Sequence, residues 1–239
     1  MKDEIELIMI RHGMTPGNQE KRYVGTTDES LCQPGRRQLL ARANMLSETP
    51  DLVITTPMKR CIESCRILYP GVPLMEIPAL SERNFGKWEY RNYNELNGDP
   101  EYQAWIDSLD TIPFPDGEGR DAYHARIKTG FERALVTAQE MLWQGKPQAP
   151  MQKPQAPAQK PQAPMRLALV VHGGTIMALC GMYGPDPSQE FAYQCGNAEG
   201  YCCKLIQTAE GIRFTDLKAL SPISEESYDH MECADRLSD

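Results

Sequence analysis

Three apolar runs, Ile5 to Ile10, Asp51 to Thr55 and Leu167 to Val171, are too short for helices and too continuous for a surface. Runs of this kind, closed by turn-forming or polar residues, read as strands buried on both faces of a sheet. Helical spacing of apolar residues fills the intervals. Pro34-Gly35 opens one such stretch, carrying Leu39, Leu40, Ala43 and Leu46, and Met58 to Leu68 forms a second. Asp121 to Trp143 is the longest, with Tyr123, Ile127, Phe131, Ala134, Leu135, Ala138 and Leu142 near a 3.6-residue period. Strands alternating with helices predict parallel pairing through right-handed crossovers, hence an α/β sandwich whose mostly parallel central sheet is flanked by helices. A short extended run at Leu74 to Ile77 follows the second helix, and Glu82 to Gly119, aromatic and rich in Gly and Pro, shows no period and reads as irregular.

Nineteen prolines in 239 residues are too many for such a fold unless they are concentrated. They are: residues 146–165 read KPQAPMQ-KPQAPAQ-KPQAPM, and hold six of them and no acid. Proline removes helix hydrogen bonds and forces its predecessor extended, so this repeat predicts a flexible insert leaning to polyproline II rather than a folded unit. A spacer is the simple reading, and a Pro-rich ligand for a partner groove is the functional one. The domain expectation is therefore one domain over residues 1–220, interrupted by that insert. Residues 221–239, with six acids against one base, form a solvated tail.

The net charge of −8 leaves no global basic footprint for nucleic acid or an anionic membrane. No run reaches the roughly 18 apolar residues of a membrane span. The start mixes acids where a signal peptide has a basic end. Eight cysteines lack C-x2-C pairing, which points to reduced thiols and away from zinc. The expectation is a cytoplasmic protein with neither nucleic acid nor membrane as partner. Oligomeric state is not addressed by one sequence.

Chemistry concentrates at strand ends. Of four histidines, His12 and His172 each close an apolar strand and precede glycine, which lets a ligand approach the backbone. Arg11 and Arg60 sit at equivalent ends and offer planar bidentate donors for a phosphoryl group. Ligands of such sheets bind beyond the carboxyl ends of the strands.

The segment Leu7 to Thr15, with Arg11-His12-Gly13, resembles the RHG signature of the histidine phosphatase superfamily, which includes cofactor-dependent phosphoglycerate mutases. Further matches follow in family order. Asn18, Arg22 and Gly25 stand at the expected distances, and Thr56-Pro57-Met58-Lys59-Arg60 resembles Ser-Pro-x-x-Arg. Leu80 to Glu89 resembles L-x-E-x-x-F-G-x-W-E, Pro115-Asp116-Gly117-Glu118 resembles P-x-G-E, and Val170 to Gly174 resembles the second-histidine motif.

The resemblance implies a phosphohistidine mechanism. His12 is the implied nucleophile, and Arg11, Arg60 and His172, with Asn18 and Gly173, are implied around the phosphoryl oxygens. Glu82 is the implied general acid and base, and must meet substrate holding a proton. Arg22 is open to phosphate or to an ion pair with an acid. Arg83 is open to substrate or solvent, with solvent the favoured reading, and His124 is read as a surface or boundary residue. No metal and no cofactor are implied.

Three departures, Met14, Thr56 and Val171 in place of the usual Glu or Gln, Ser, and Ser, remove no charged group. Only 34 residues separate Glu82 from Gly117, and they are acidic and Tyr-rich, unlike the long basic capping insertion of bacterial mutases. The Phe-Gly-x-Trp-Glu form is also closer to the phosphatase branch, that of α-ribazole and broad-specificity phosphatases. The expected activity is therefore metal-independent hydrolysis of a small phosphomonoester. Phosphoglycerate mutase-type transfer and a non-catalytic phosphate-binding module are the alternatives. The aromatic residues Phe85, Trp88, Tyr90, Tyr93, Tyr102 and Trp105 suggest a leaving group with apolar surface.

Overall fold

The structure is a computed structural model and describes residues 4–144 and 164–223. Most of the Pro-rich insert and of the acidic tail lies outside the described residues. Met165, expected as the insert's last residue, already belongs to a strand.

Among the described residues the central sheet has six strands: β1 (Glu4–Arg11), β2 (Leu52–Thr55), β3 (Leu74–Glu76), β4 (Met165–Val171), β5 (Gly200–Thr208) and β6 (Gly211–Ala219). Their spatial order is β3-β2-β4-β1-β5-β6. The first four pair in parallel, whereas β5 runs antiparallel to both β1 and β6. The helices are α1 (Pro16–Gln19), α2 (Gln33–Met45), α3 (Lys59–Leu68), α4 (Tyr93–Leu96), α5 (Pro100–Asp107), α6 (Arg120–Gln144) and α7 (Gly173–Tyr183).

The apolar runs become the sheet's centre because both of its faces are covered. Ile5, Leu7 and Met9 of β1 and Leu167, Leu169 and Val171 of β4 join Ile127, Phe131 and Leu135 of α6 and Ile176 and Leu179 of α7 in one buried cluster. Ile10, Val53, Ala168 and Val170 face the other way, against Leu39 of α2 and Cys65 and Leu68 of α3. The chain is thus the expected three-layer α/β sandwich, with β1, β2 and β4 side by side and their carboxyl ends adjacent.

The structure adds elements where periodicity was silent. Within Glu82 to Gly119, α4 begins on a capping box between Asn92 and Glu95, and α5 begins on Asp99, whose carboxylate accepts from the amides of Glu101 and Tyr102. Caps start these short helices, and an apolar stripe has little part in them. β6 escaped the sequence reading because a register shift between Cys202 and Lys204, with Asp216 in left-handed conformation (φ 54°), breaks its alternation. The first residues of the expected tail are tied down: the Ser221 carbonyl accepts from Arg42, and Ile223 packs on the α2 side of the core.

Phe131 is fully buried, with its ring 5.6 Å from that of Tyr183 and 6.0 Å from that of Phe214. Phe131→Ala should therefore lower unfolding free energy by about 3–5 kcal/mol, measured by urea titration. A loss under about 1 kcal/mol would mean that α6 is not the cover of this sheet face.

Candidate functional site

Where β1 ends, the His12 amide donates to the Val171 carbonyl (2.9 Å), joining the ends of β1 and β4. The His12 and His172 rings meet edge to face, 5.3 Å between centroids. His12 Nδ1 lies 2.8 Å from the Gly13 carbonyl, which can only accept, so Nδ1 carries the hydrogen and Nε2 keeps its lone pair. Burial, then the charges of Arg60 and Arg11, hold the His12 pKa well below the usual 6.5. The ring is a neutral imidazole with a free nucleophilic nitrogen.

His172 is fixed in the same manner from another side. Arg60 Nη2 lies 3.3 Å from its Nδ1. A guanidinium only donates, so Nδ1 accepts and Nε2–H donates to Thr56 Oγ1 at 3.1 Å. Burial, then Arg60, His12 and Arg11, hold this pKa well below the usual range too. Cys61 packs its sulfur 3.6 Å from Nε2, and burial pushes that thiol up to about 12, so the neighbour is a neutral thiol.

Arg60 is fully buried on the first turn of α3. Its Nη1 donates to Thr27 O (2.6 Å) and its Nη2 to Gly25 O (2.8 Å). Glu89 holds that loop from outside, its Oε1 accepting from Gly25 N, Thr27 N and Thr27 Oγ1. Ser64 locks Arg60 to the His12–Gly13 loop by accepting from Gly13 N (3.0 Å) and donating to Arg60 O (2.6 Å). Arg11 donates Nη1 to Cys195 O (2.8 Å) and lies beside Gly173, where a Cβ would stand 3.4 Å from its Nε. Both arginines keep a buried Nε–H with no protein partner. Two orphaned cationic donors next to a neutral imidazole make a receptor for an anion.

Glu82 joins the site through the start of α7. Its Oε2 accepts from Gly174 N (3.0 Å), and its Oε1 accepts from Arg83 N (2.9 Å) and Tyr123 Oη (3.0 Å). A Cβ at position 174 would run into Glu82 Oε1, so glycine there leaves the carboxylate its place at the start of α7. Asn18 Oδ1 accepts from Thr15 N and from Asn197 Nδ2, which also donates to the His12 carbonyl at 3.0 Å. With its oxygen committed, the amide hydrogens are what Asn18 retains for a ligand.

The family model described as histidine phosphatase superfamily (branch 1) matches residues 7–142, more than half of the chain. The chain belongs to that superfamily. It is 28% identical over 145 residues to the adenosylcobalamin/alpha-ribazole phosphatase of Salmonella typhimurium, covering 58% of this chain and 72% of that one. It is 30% identical over 135 residues to the 2,3-bisphosphoglycerate-dependent phosphoglycerate mutase of Bartonella henselae, covering 52% of this chain and 65%, just under two thirds, of the mutase. Among solved structures, a mycobacterial hydrolase superposes with TM-score 0.73 at 25% identity, over 98% of each chain. The alpha-ribazole phosphatase from Shigella flexneri superposes with TM-score 0.67 at 20% identity, over 92% of this chain and 97% of that one, which bears on the fold.

Within this superfamily site, His12, His172, Arg11, Arg60, Gly173, Glu82 and Asn18 form one connected set. Arg22 is spent elsewhere: Nε donates to Glu20 (2.6 Å) and Nη1 to Tyr90 O (2.6 Å) and Glu95 (3.0 Å). Of its two sequence readings, the ion pair is the one the geometry displays. Arg83 was expected to face solvent and does not. It is 8% exposed, paired with Asp110 at 2.7 Å and stacked over Phe114. His124 is half-buried against Glu190, which Arg120 also engages. The aromatic residues of the 85–114 stretch turn mostly on one another: Trp88, Tyr102, Phe114 and Leu96 form their own small core with Phe85 and Trp105 against it. Only Tyr90 and Tyr93 of that set stay exposed.

Four contributors went unread. Asn197 carried no motif, Ser64 lay inside a helix pattern, Thr56 was noted only as a departure from Ser, and Tyr123 counted as one more apolar face position. A surface groove of about 470 Å³ is lined by Glu6, Leu7 and Ile8 toward the other end of β1 and includes none of these residues.

Neutral buried histidines set a pH dependence. The unfolded chain binds protons at His12 and His172 below about pH 6.5, whereas the folded chain does not until well below it. Stability from these groups is therefore complete above that pH and is lost as pH falls through it. Urea midpoints should drop between about pH 7.5 and pH 5.0, and drop less in His12→Asn. Equal drops in both proteins would contradict a neutral, buried His12.

Proposed function

We propose that this chain hydrolyses small phosphomonoesters through a phosphohistidine at His12, without a metal ion. The observation that carries the reading is the His12 tautomer: a neutral ring whose Nε2 lone pair stands among two arginines with orphaned buried donors. Nε2 attacks phosphorus, the P–O bond to the leaving group breaks, and Glu82 delivers its proton to the departing oxygen. Arg11, Arg60, the start of α7 and the Asn18 amide face the charge that spreads over the phosphoryl oxygens, while His172, its ring hydrogen committed to Thr56 and its Nδ1 accepting from Arg60, helps to hold Arg60 in place. Water then attacks the phosphohistidine, Glu82 takes its proton, and phosphate leaves with His12 restored. Each step conserves atoms and protons, and Glu82 ends as it began.

Hydrolysis is favoured over the mutase reaction named for the Bartonella relative by the segment that follows Glu82. The 34 residues between Glu82 and Gly117 fold into α4, α5 and an aromatic core joined by Tyr23, with Arg83 neutralised by Asp110. That leaves little cationic surface to retain a doubly phosphorylated intermediate. Retention of both nucleophile and proton donor speaks against a module that only binds phosphate. The leaving group is taken as a small metabolite. With Trp88 and Tyr102 buried in packing, the aromatic residues no longer argue for an apolar one.

A panel of phosphomonoesters assayed in chelator, with 3-phosphoglycerate isomerisation as a control, tests the reading. Phosphate release is expected, with acid-labile phosphate trapped on wild type and none on His12→Ala. Glu82→Gln should slow alkyl phosphates by about 10²-fold or more and p-nitrophenyl phosphate much less, since nitrophenolate leaves unprotonated. Trapped phosphate surviving His12→Ala, or isomerisation outrunning release, would overturn the assignment.

A further inference from the structure

The three partners of Glu82 are not equivalent. The amides of Arg83 and Gly174 can only donate to it. The third is the Tyr123 hydroxyl, which can donate or accept. Its single hydrogen has two acceptors within reach, Glu82 Oε1 at 3.0 Å and Thr175 Oγ1 at 3.2 Å. The Thr175 hydrogen is already committed to the Leu80 carbonyl at 3.0 Å, which leaves its oxygen free to accept. The Tyr123 and Thr175 side of this contact is sealed from water, with Tyr123 4% exposed and Thr175 and Leu80 fully buried, while Glu82 itself keeps partial exposure. Burial, then the Glu82 charge, raises the Tyr123 pKa well above its usual value, so the phenol keeps its hydrogen.

We propose that Tyr123 is a positioning residue whose hydroxyl hydrogen turns between Glu82 and Thr175, so that the ionised and the protonated forms of Glu82 are both held in place. The inference rests on the role given to Glu82 in the proposed function and adds what that role requires. A group that is acid in one step and base in the next needs a partner suited to each state. When Glu82 is a carboxylate, Tyr123 donates to Oε1. When Glu82 carries the proton, the Tyr123 hydrogen turns to Thr175, and the phenol oxygen accepts from the carboxyl until the leaving oxygen takes that proton. One O–H bond at Glu82 breaks, one forms on the leaving group, and Tyr123 only reorients. Ser, Ala or Phe at position 123 would have no group able to make both contacts.

Tyr123→Phe keeps the ring and removes the switch. It should lower kcat on an alkyl phosphate by about tenfold, on p-nitrophenyl phosphate by less than about threefold, and leave inhibition by inorganic phosphate unchanged. Thr175→Val, which removes the second acceptor, should act in the same direction, and Thr175→Ser should restore the wild-type rates. Equal losses on both substrates, or no loss on the alkyl ester, would overturn the inference. A readout independent of turnover separates its failure from failure of the enzyme reading. The protonated-carboxyl infrared band that Glu82→Gln abolishes should shift in both Tyr123→Phe and Thr175→Val, with melting temperatures showing that the proteins are folded. A band unmoved in either variant would overturn it even if wild type proved inactive.

Discussion

Arg60 is a guanidinium with no exposed surface, and the site's architecture follows from satisfying it. An uncompensated buried charge would cost several kcal/mol, so the chain must bring acceptors to it. Two are carbonyls of the Gly25 to Thr27 loop, which is why that loop is itself anchored by Glu89 from the far motif. A third is His172 Nδ1, and this contact decides the tautomer of a residue 112 positions away in sequence. Through Ser64 the same turn of α3 also grips Gly13, next to His12. Motifs spread over most of the chain are thus one hydrogen-bonded object, which accounts for their appearing together in the sequence.

What could be read beforehand follows the range of the forces involved. β1, β2 and β4 announce themselves because central parallel strands are apolar on both faces, and α6 because one face must cover them. His12, His172, Arg11 and Arg60 were visible as charge and chemistry at strand ends. Elements held by local caps or interrupted by a bulge, such as α4, α5 and β6, leave no periodic trace. α7 was hidden for the opposite reason: with Ile176, Leu179, Cys180 and Tyr183 buried around it, it lacks a polar face to set its period. Residues that act by hydrogen bonding across the fold were the hardest. Asn197 reaches His12 and Asn18 from 185 and 179 residues away, and no spacing rule connects them.

Arg83 and Arg22 illustrate why a positive residue near a phosphate motif is weak evidence by itself. Each stands beside a site residue or at a family distance, yet each has its charge answered by acids: Asp110 for one, Glu20 and Glu95 for the other. Arg11 and Arg60 differ because carbonyls, which carry no net charge, are their partners. Their positive charge is held in position without being neutralised. The acidic total of the chain is compatible with an anion site for the same reason, since the field at His12 is set by the few charges buried beside it.

That unneutralised charge has two consequences that work together. Before reaction, Arg60 and Arg11 disfavour a proton on His12 and so keep its lone pair available. In the proposed reaction, a phosphoryl group attached to His12 would meet the same two charges as an anion. A site that used a carboxylate to orient the nucleophile would gain basicity but would then repel the phosphoryl group it had to receive. Here a backbone carbonyl, Gly13 O, orients the ring instead, fixing the tautomer without adding negative charge. Glu82 is held by two amides and by a phenol whose hydrogen has a second acceptor in Thr175, an arrangement that would suit the acid-and-base role proposed for it.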